Sequence, residues 1–339
     1  MAILRKIIHD FSQSSDLICD DAETFLDALI TETDEILLAD VFRSWDAKGI
    51  VTDEIFSIAK ILRERMIRVS SKHKTLVDIV GTGGSRSKTF NVSTAAAFVV
   101  AGAGIPVAKH GNKAATSNSG SADVLSALGI NPAVDAATAE RCLNEIGICF
   151  MFAPNHHRLS PVLAKVRRGL GFPTIFNCVG PLCNPANAPH QLIGVWSEEL
   201  VPKIANALAR LGTKKSWVVH GSDGLDEVTL NGPTKVAEIR DGSVRLFEIS
   251  PENFDLPLSD SSDVQAADAE ESSALIRDVL SGKSENQTAV NLVAINAAAA
   301  ICVVSDESDL PTAYAKAMES INSGAAQDKL ERLIVMTNK

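Results

Sequence analysis

At 339 residues the chain is long enough for one large domain or two of ordinary size. Hydrophobic residues make up 45% and charged residues 22%, a composition that builds a core without disulfide or metal staples. The formal net charge of −10 argues against nucleic acid as the main partner, because phosphate backbones are gripped by basic surface. Six cysteines (Cys19, Cys142, Cys149, Cys178, Cys183 and Cys302) lie in apolar surroundings without zinc-site spacing, so reduced and mostly buried thiols are expected. The opening MAILRKIIHDFSQ is amphipathic and lacks a signal-peptide pattern. No apolar run approaches the ~20 residues that span a bilayer. A cytoplasmic protein with no membrane association is expected.

The first seventy residues read as helical. Leu38, Val41, Phe42 and Trp45 recur at helical spacing, and Gly49 stands where a left-handed residue ends a helix. Thr52 is placed to cap the next helix, with Asp53 and Glu54 in its first turn and Ile55, Ile58, Ala59, Leu62 and Met66 on its apolar stripe. From Thr75 the pattern changes to strand, loop and helix. TLVDIV runs into GTGGSRSKTFN and a helix from near Ser93; IPVAKH runs into GNKAATSNSG and a helix ending before Gly129. A helix around Thr138 to Ile146 leads to the strand ICFMFA. This alternation implies a parallel sheet with right-handed crossovers, which binds ligands at the carboxyl ends of its strands. After a helical and loop-like stretch from His156 to about Pro189, the strands QLIGVW and SWVVHG flank another helix. VAEIRDGSVRLFEI reads as a hairpin turning at Asp241-Gly242, and SDSSDVQAADAEES as a solvated acidic connection. Three helical stretches close the chain, and the Ala-rich AAAFVVAGAG and AINAAAAIC suggest closely packed helices.

Several loops carry candidate chemistry. Gly81, Thr82, Gly83, Gly84 and Ser85 lie between a buried strand and a helix, where glycines admit a close ligand and helix N–H groups attract an anion. The familiar dinucleotide and P-loop fingerprints do not fit here. Asn91, Ser93 and Thr94 follow, with an ordinary helix cap as the plainer reading. Lys109, His110, Gly111 and Asn112 end the neighbouring strand, and Ser119 to Ser121 add hydroxyls. Together these loops suit a polyphosphate. Asp223, Asp226 and Glu227 offer hard oxygens to Mg²⁺, although in isolation a solvated Asp-Gly turn is the better explanation. Arg167 or Arg168 offers a bidentate grip on a carboxylate; a solvated helix face is the bland alternative.

DIVGTGGS, FNVSTAAAFVVAGAGIPVAKHGNKA, SGSADVLSALG, FAPNHH, VRRGLG, TIFNCVGPLCNPA and HGSDGLDEVTLNGPT together resemble the anthranilate phosphoribosyltransferases, in that family's order. The resemblance implies an α/β fold of the nucleoside phosphorylase/phosphoribosyltransferase class, similar to pyrimidine nucleoside phosphorylases. A small helical dimerisation domain (1–70 with 156–189) would stand beside a large α/β domain (71–155 with 190–339) with a mainly parallel central sheet. It implies a homodimer and Mg²⁺-dependent transfer of phosphoribosyl from phosphoribosyl pyrophosphate (PRPP) to the amine of anthranilate in tryptophan biosynthesis. By the same resemblance, Gly81, Gly84, Ser85, Thr89, Asn91, Val92, Ser93, Thr94, Lys109, His110, Gly111, Asn112, Lys113, Ala114, Ala115, Thr116, Ser117 and Ser121 would meet PRPP. Gly81, Asn112 and Arg167 would meet anthranilate, and Ser93, Asp226 and Glu227 the metal. No acid or base is assigned, His110 being the nearest candidate. The family's glycine loop usually reads GTGGD; Ser85 replaces that aspartate, with an expected effect on donor affinity. Lys113 in place of Arg and Thr116 in place of Ser are milder changes. Rival readings are a phosphoribosyltransferase or phosphorylase of the same fold with another acceptor, and a catalytically silent nucleic-acid-binding relative.

Overall fold

The chain opens with helices α1 (Ala2–Ser12), α2 (Ala22–Thr31), α3 (Glu35–Lys48) and α4 (Thr52–Arg65) in a computed structural model that describes residues 2–85, 89–113, 119–260, 264–305 and 309–339. Asp34 caps α3 by accepting from the N–H groups of Ile36 and Leu37, and the predicted stripe Leu38, Val41, Phe42 and Trp45 is buried. Gly49 has the expected positive φ of 87°, but its ψ of 147° is extended rather than left-handed helical. Thr52 is the first residue of α4 and not its cap. Glu54 reaches back to the N–H of Val51, and its buried carboxylate also accepts from Leu17 N and the Trp45 indole and pairs with Lys48. That carboxylate satisfies the helix end, so the threonine hydroxyl is not needed there.

The α/β portion follows: β1 (Val77–Gly81), α5 (Val92–Gly102), β2 (Val107–Gly111), α6 (Ser121–Ala127), α7 (Ala136–Ile146) and β3 (Ile148–Phe152). Short helices α8 (Ala153–His156), α9 (Pro161–Gly169) and α10 (Ile175–Val179) intervene before β4 (His190–Gly194), α11 (Leu200–Arg210) and β5 (Lys215–Gly221). The hairpin of β6 (Thr234–Arg240) and β7 (Ser243–Ile249) turns at Asp241 and Gly242, both at positive φ, as a two-residue hairpin turn requires. The seven-stranded sheet has the order β3-β2-β1-β4-β5-β6-β7; β1 to β5 pair in parallel, while β5, β6 and β7 pair antiparallel. Its strand order reverses at β1, which lies between β2 and β4 and so marks the crevice expected to take a ligand.

Helices α12 (Ala269–Leu280), α13 (Gln287–Val304), α14 (Leu310–Asn322) and α15 (Ala325–Thr337) close the chain, one more than the sequence suggested. The extra helix grows out of the supposed solvated connection. Val264 and Ala266 are buried there, Phe90 N donates to Val264 O, and Asp268 caps α12. The acidic residues around this short apolar pair had masked it.

One core lies on each face of the sheet. On one side α5, α6, α7 and α12 to α15 pack together; Gly102 of α5 meets α14 and α15 so closely that a Cβ would fall 2.2 Å from Ser320 Oγ. On the other side α1 to α4, α9, α10 and α11 share a core with Val80, Ile193, Val218 and Ala237 of the sheet. Helix α13 is 18 residues long and apolar enough to cross a membrane by length and composition, closer to a span than the sequence reading allowed. It is an interior helix here, packed against α5. Five cysteines are buried and Cys19 is exposed, all as free thiols.

Candidate active site

A cavity of about 550 Å³ opens over the carboxyl ends of β1 and β2, beside the strand reversal. Its walls are the glycine loop, the start of α5, the end of β2, the loop after β5, and helices α9 and α10. Glycines set how closely these pieces approach. A Cβ on Gly81 would lie 2.6 Å from Asp226 Oδ2, and one on Gly194 only 1.5 Å from the Asp226 carbonyl oxygen. The loop carrying Asp226 and Glu227 therefore rests directly on the ends of β1 and β4. Gly83 and Gly84 have φ of 63° and 83°, a backbone that favours glycine.

The two neighbouring carboxylates diverge. Asp226 Oδ2 accepts from Gly83 N at 3.1 Å, and Glu227 Oε1 accepts from Ser93 N at 3.2 Å. Glu227 thus caps the positive end of α5, and Val92 N and Thr94 N are engaged by Phe90 O and Asn91 O. The free helix amides expected for an anion are taken here, and the carboxylate does the capping. Glu227 Oε2 is buried with no hydrogen-bond partner among the described residues. Burial, and then the neighbouring Asp226, hold the Glu227 carboxyl well above its usual range; burial raises Asp226 as well. Lys109 Nζ donates to Ile79 O and lies 3.4 Å from Ser93 Oγ. Desolvation pushes the Lys109 ammonium down to about 8, against the pull of Asp78 and Glu227. Two carboxylates short of a cation, an orphaned carboxylate oxygen and the Ser93 hydroxyl make a hard-oxygen set that fits Mg²⁺.

Helix α9 contributes Arg167 to the cavity lining. Its Nε donates to Thr174 Oγ1 at 3.2 Å, one terminal nitrogen to Asn177 Oδ1 at 3.3 Å, and the guanidinium lies over the Phe176 ring. No carboxylate pairs with it among the described residues, and burial alone lowers it to about 10. Asn177 also donates to Thr82 O, joining α10 to the glycine loop. Arg168 is exposed, the solvated member of the pair. His110 is buried, its ring edge-on to His157 with centroids 5.2 Å apart and its Nε2 without a partner among the described residues. Burial, then the nearby histidines, keep His110 well below its usual pKa, so the ring is neutral. Beneath the cavity floor, Asp78 accepts from His110 N, Asn184 Nδ2 and Gln191 Nε2.

Most of the residues singled out from sequence converge on this cavity. Gly81, Gly84, Ser85, Thr89, Asn91, Ser93, Lys109, His110, Gly111, Asn112, Lys113, Ser121, Arg167, Asp226 and Glu227 all line it. Val92 and Thr94 do not; both lie in the first turn of α5 with their side chains buried. Ala114, Ala115, Thr116 and Ser117 lie outside the described residues. Asn177, Phe176 and Thr174 went unnoticed, although the spacing of Thr174 and Asn177 is a capping box and each lies in TIFN. Ser272 was likewise missed: it accepts from Asn91 N and donates to Asn91 Oδ1, from the segment read as solvated.

The description "Glycosyl transferase family, a/b domain" matches residues 73–327. The anthranilate phosphoribosyltransferase of Rhodospirillum rubrum is 48% identical over 289 residues, which cover 85% of this chain and 82% of that one. The chain belongs to the anthranilate phosphoribosyltransferase family. The anthranilate phosphoribosyltransferase from Thermus thermophilus matches the fold with a TM-score of 0.89 at 34% identity, covering 100% of both chains. The Saccharomyces cerevisiae anthranilate phosphoribosyltransferase, in complex with PRPP and Mg, reaches a TM-score of 0.89 at 29% identity over 99% of this chain and 98% of that one. Membership in the anthranilate phosphoribosyltransferases accounts for the α/β architecture and makes the chain a glycosyltransferase-class enzyme.

Proposed function

We propose that this family member transfers the phosphoribosyl group of PRPP to the amine of anthranilate, releasing pyrophosphate, as a step of tryptophan biosynthesis. The observation that carries the reading is Arg167, a half-buried cation in the cavity wall with no anionic partner among the described residues. A carboxylate-bearing aromatic acceptor supplies that partner, with Phe176 beside it and Asn112 in the lining of the same cavity. The glycine loop, Thr89, Asn91, Lys109 to Lys113 and Ser121 then serve the phosphates and ribose of the donor. Asp226, Glu227 and Ser93 would hold Mg²⁺. When bound, the ion offsets the charge that builds on the departing pyrophosphate.

The reaction is a displacement at the anomeric carbon of the ribose. The amine nitrogen forms the new C–N bond as the C–O bond to pyrophosphate breaks, and the bonding pair leaves with the pyrophosphate. An aniline-type nitrogen is neutral at pH 7 and attacks without prior deprotonation. Its surplus proton then passes to water, or to the neutral imidazole of His110. Lys109, in the cavity lining, supplies positive charge toward the departing pyrophosphate, while Gly83 N is held by Asp226 Oδ2 and Thr82 N by Gly194 O. Arg167 fixes the acceptor for attack, and in well-oriented systems positioning contributes up to roughly 7–11 kcal/mol. The reading is completed by a cytoplasmic homodimer that joins through the helical domain (1–70 with 156–189) beside the α/β domain (71–155 with 190–339).

The test follows anthranilate fluorescence with purified protein, PRPP and Mg²⁺, against an EDTA control. Loss of fluorescence that EDTA abolishes is the expected result. Unchanged fluorescence at high concentrations of both substrates, with pyrophosphate still released from PRPP on addition of another amine, assigns a different acceptor.

A further inference from the structure

Helix α13 is apolar along its buried length except at Asn296, which is 3% exposed. A buried amide is costly unless its groups are bonded, and both the oxygen and the nitrogen of the Asn296 amide are bonded. Its Oδ1 accepts from Val228 N at 2.9 Å, while its Nδ2 donates to Val228 O at 2.9 Å and to Leu292 O at 2.9 Å. The side chain thus acts on Val228 as a neighbouring strand would, taking both backbone groups of one residue. Val228 directly follows Glu227, and its N–H belongs to the Glu227–Val228 peptide, so the clamp fixes the plane from which the Glu227 side chain departs. Gly194 holds the other side of the same loop, where the Asp226 carbonyl leaves no room for a Cβ.

We propose that Asn296 is a positioning residue for the metal-binding pair: its clamp on Val228 turns Asp226 and Glu227 toward the glycine loop and the start of α5. Residues 225 to 228 follow no strand geometry, and adjacent side chains in a regular strand point to opposite faces. The two carboxylates share one cavity because this loop is pinned between β4 and α13. Supporting groups of this kind tune metal sites without touching the ion.

The inference rests on the reading of Asp226 and Glu227 as metal ligands, and the experiment separates the two. Mn²⁺ is titrated into the full-length protein with PRPP present, and bound metal is read by electron paramagnetic resonance. Asn296→Ala removes the clamp and leaves a void; Asn296→Leu removes it with a side chain of the same branching that suits an apolar helix. Both are expected to weaken Mn²⁺ binding by about tenfold to a hundredfold, the range typical of lost supporting groups. The KM for anthranilate, whose carboxylate is assigned to Arg167 on α9, is expected to stay within about twofold. A purely structural role would lower the melting temperature and leave Mn²⁺ affinity of the folded protein unchanged; that result in Asn296→Leu overturns the proposal. Asp226→Asn with Glu227→Gln is the reference. Lost Mn²⁺ binding there with intact binding in the Asn296 variants removes this inference alone, and intact binding in the reference removes the metal assignment too.

Discussion

Arg167 brings a full charge into the cavity wall with Thr174 and Asn177 as its hydrogen-bond partners. Desolvation without a counter-ion is unfavourable, and a bound carboxylate relieves it. A charge-assisted hydrogen bond contributes about 1.5–3 kcal/mol, so Arg167→Ala is expected to raise the KM for anthranilate by about tenfold to a hundredfold. The KM for PRPP is expected to move by less than about threefold, since Arg167 is joined to the glycine loop through Asn177 and makes no direct hydrogen bond to it among the described residues. Steady-state kinetics with each substrate varied in turn measure the split, and equal changes would remove Arg167 from this role. The Arg167-Arg168 pair was visible in sequence as a possible carboxylate grip, and the choice of Arg167 came from the family resemblance. Asn177 and Asn296 were not visible, because a single asparagine has meaning only through what it faces. Ser85 shows the same dependence on context: its hydroxyl donates to Gly224 O at 2.7 Å and ties the glycine loop to the carboxylate loop. Sequence registered only the loss of an acid there.

Asp78 poses a different question at the same scale. It is fully buried, and desolvation raises its carboxyl to about 6 despite Lys109 and three hydrogen-bond donors. Between the usual value of 3.8 and about 6 the folded state holds more protons than the unfolded one. Its contribution to stability therefore falls as pH rises across that window, by about 3 kcal/mol. His157, lowered to about 4 by burial, acts in the opposite sense, because the unfolded state binds more protons between that value and 6.5. The two partly cancel in the wild-type profile. Asp78→Asn keeps an acceptor for His110 N but turns an amide toward Asn184, a cost that does not vary with pH. Relative to wild type, the variant is expected to gain about 3 kcal/mol on going from pH 4 to pH 6.5. Urea unfolding at a series of pH values measures this difference, and parallel profiles would refute it.

At the scale of elements, the strand ends were readable and the distances between them were not. The runs TLVDIV, IPVAKH and QLIGVW announced β1, β2 and β4, and the alternation with helices announced a parallel sheet. What no pattern announced is that Gly194 has an Asp226 carbonyl where its Cβ would be. Gly194→Ala must displace the carboxylate loop, and overpacking of this kind costs about 1–3 kcal/mol of stability. We expect kcat to fall by about a hundredfold or more, since a misplacement of about 1 Å has effects of that size. Gly242→Ala is the matched control. Its φ of 81° makes the substitution unfavourable by about 1 kcal/mol, but the hairpin tip lies away from the cavity and turnover should be unchanged. If both variants lose activity in proportion to stability, the close approach at Gly194 has no special part in the site. The acidic stretch before α12 was misread for a related reason. Val264, Ala266 and Ser272 are too few to make a periodic signal, yet Val264 and Ala266 are buried and Ser272 holds Asn91 in place.

For the whole molecule, the helical layer and the sheet share one core, so the proposed domain division does not separate two independent cores. Val80, Ile193 and Val218 of the sheet and Leu29, Trp45 and Ile58 of the helices belong to the same buried cluster. Within the helical layer the Glu54 carboxylate joins the Leu17 backbone, the Trp45 indole, the start of α4 and Lys48. Glu54→Gln leaves an acceptor for two of these groups and removes the charge opposite Lys48, which retains Asp16. Hydrogen bonds to charged groups are worth about 1.5–3 kcal/mol, and a loss of about that size is expected. Because the core is shared, the loss should shift the unfolding of the whole chain, with Trp fluorescence and far-ultraviolet circular dichroism moving together in urea. A variant in which fluorescence changes first while the helical and sheet signal persists would show that the layer melts alone. In that case the floor of the cavity, where Leu62 of α4 meets Val80 of β1, depends on a unit that can open by itself, and anthranilate affinity should fall with urea before the sheet unfolds.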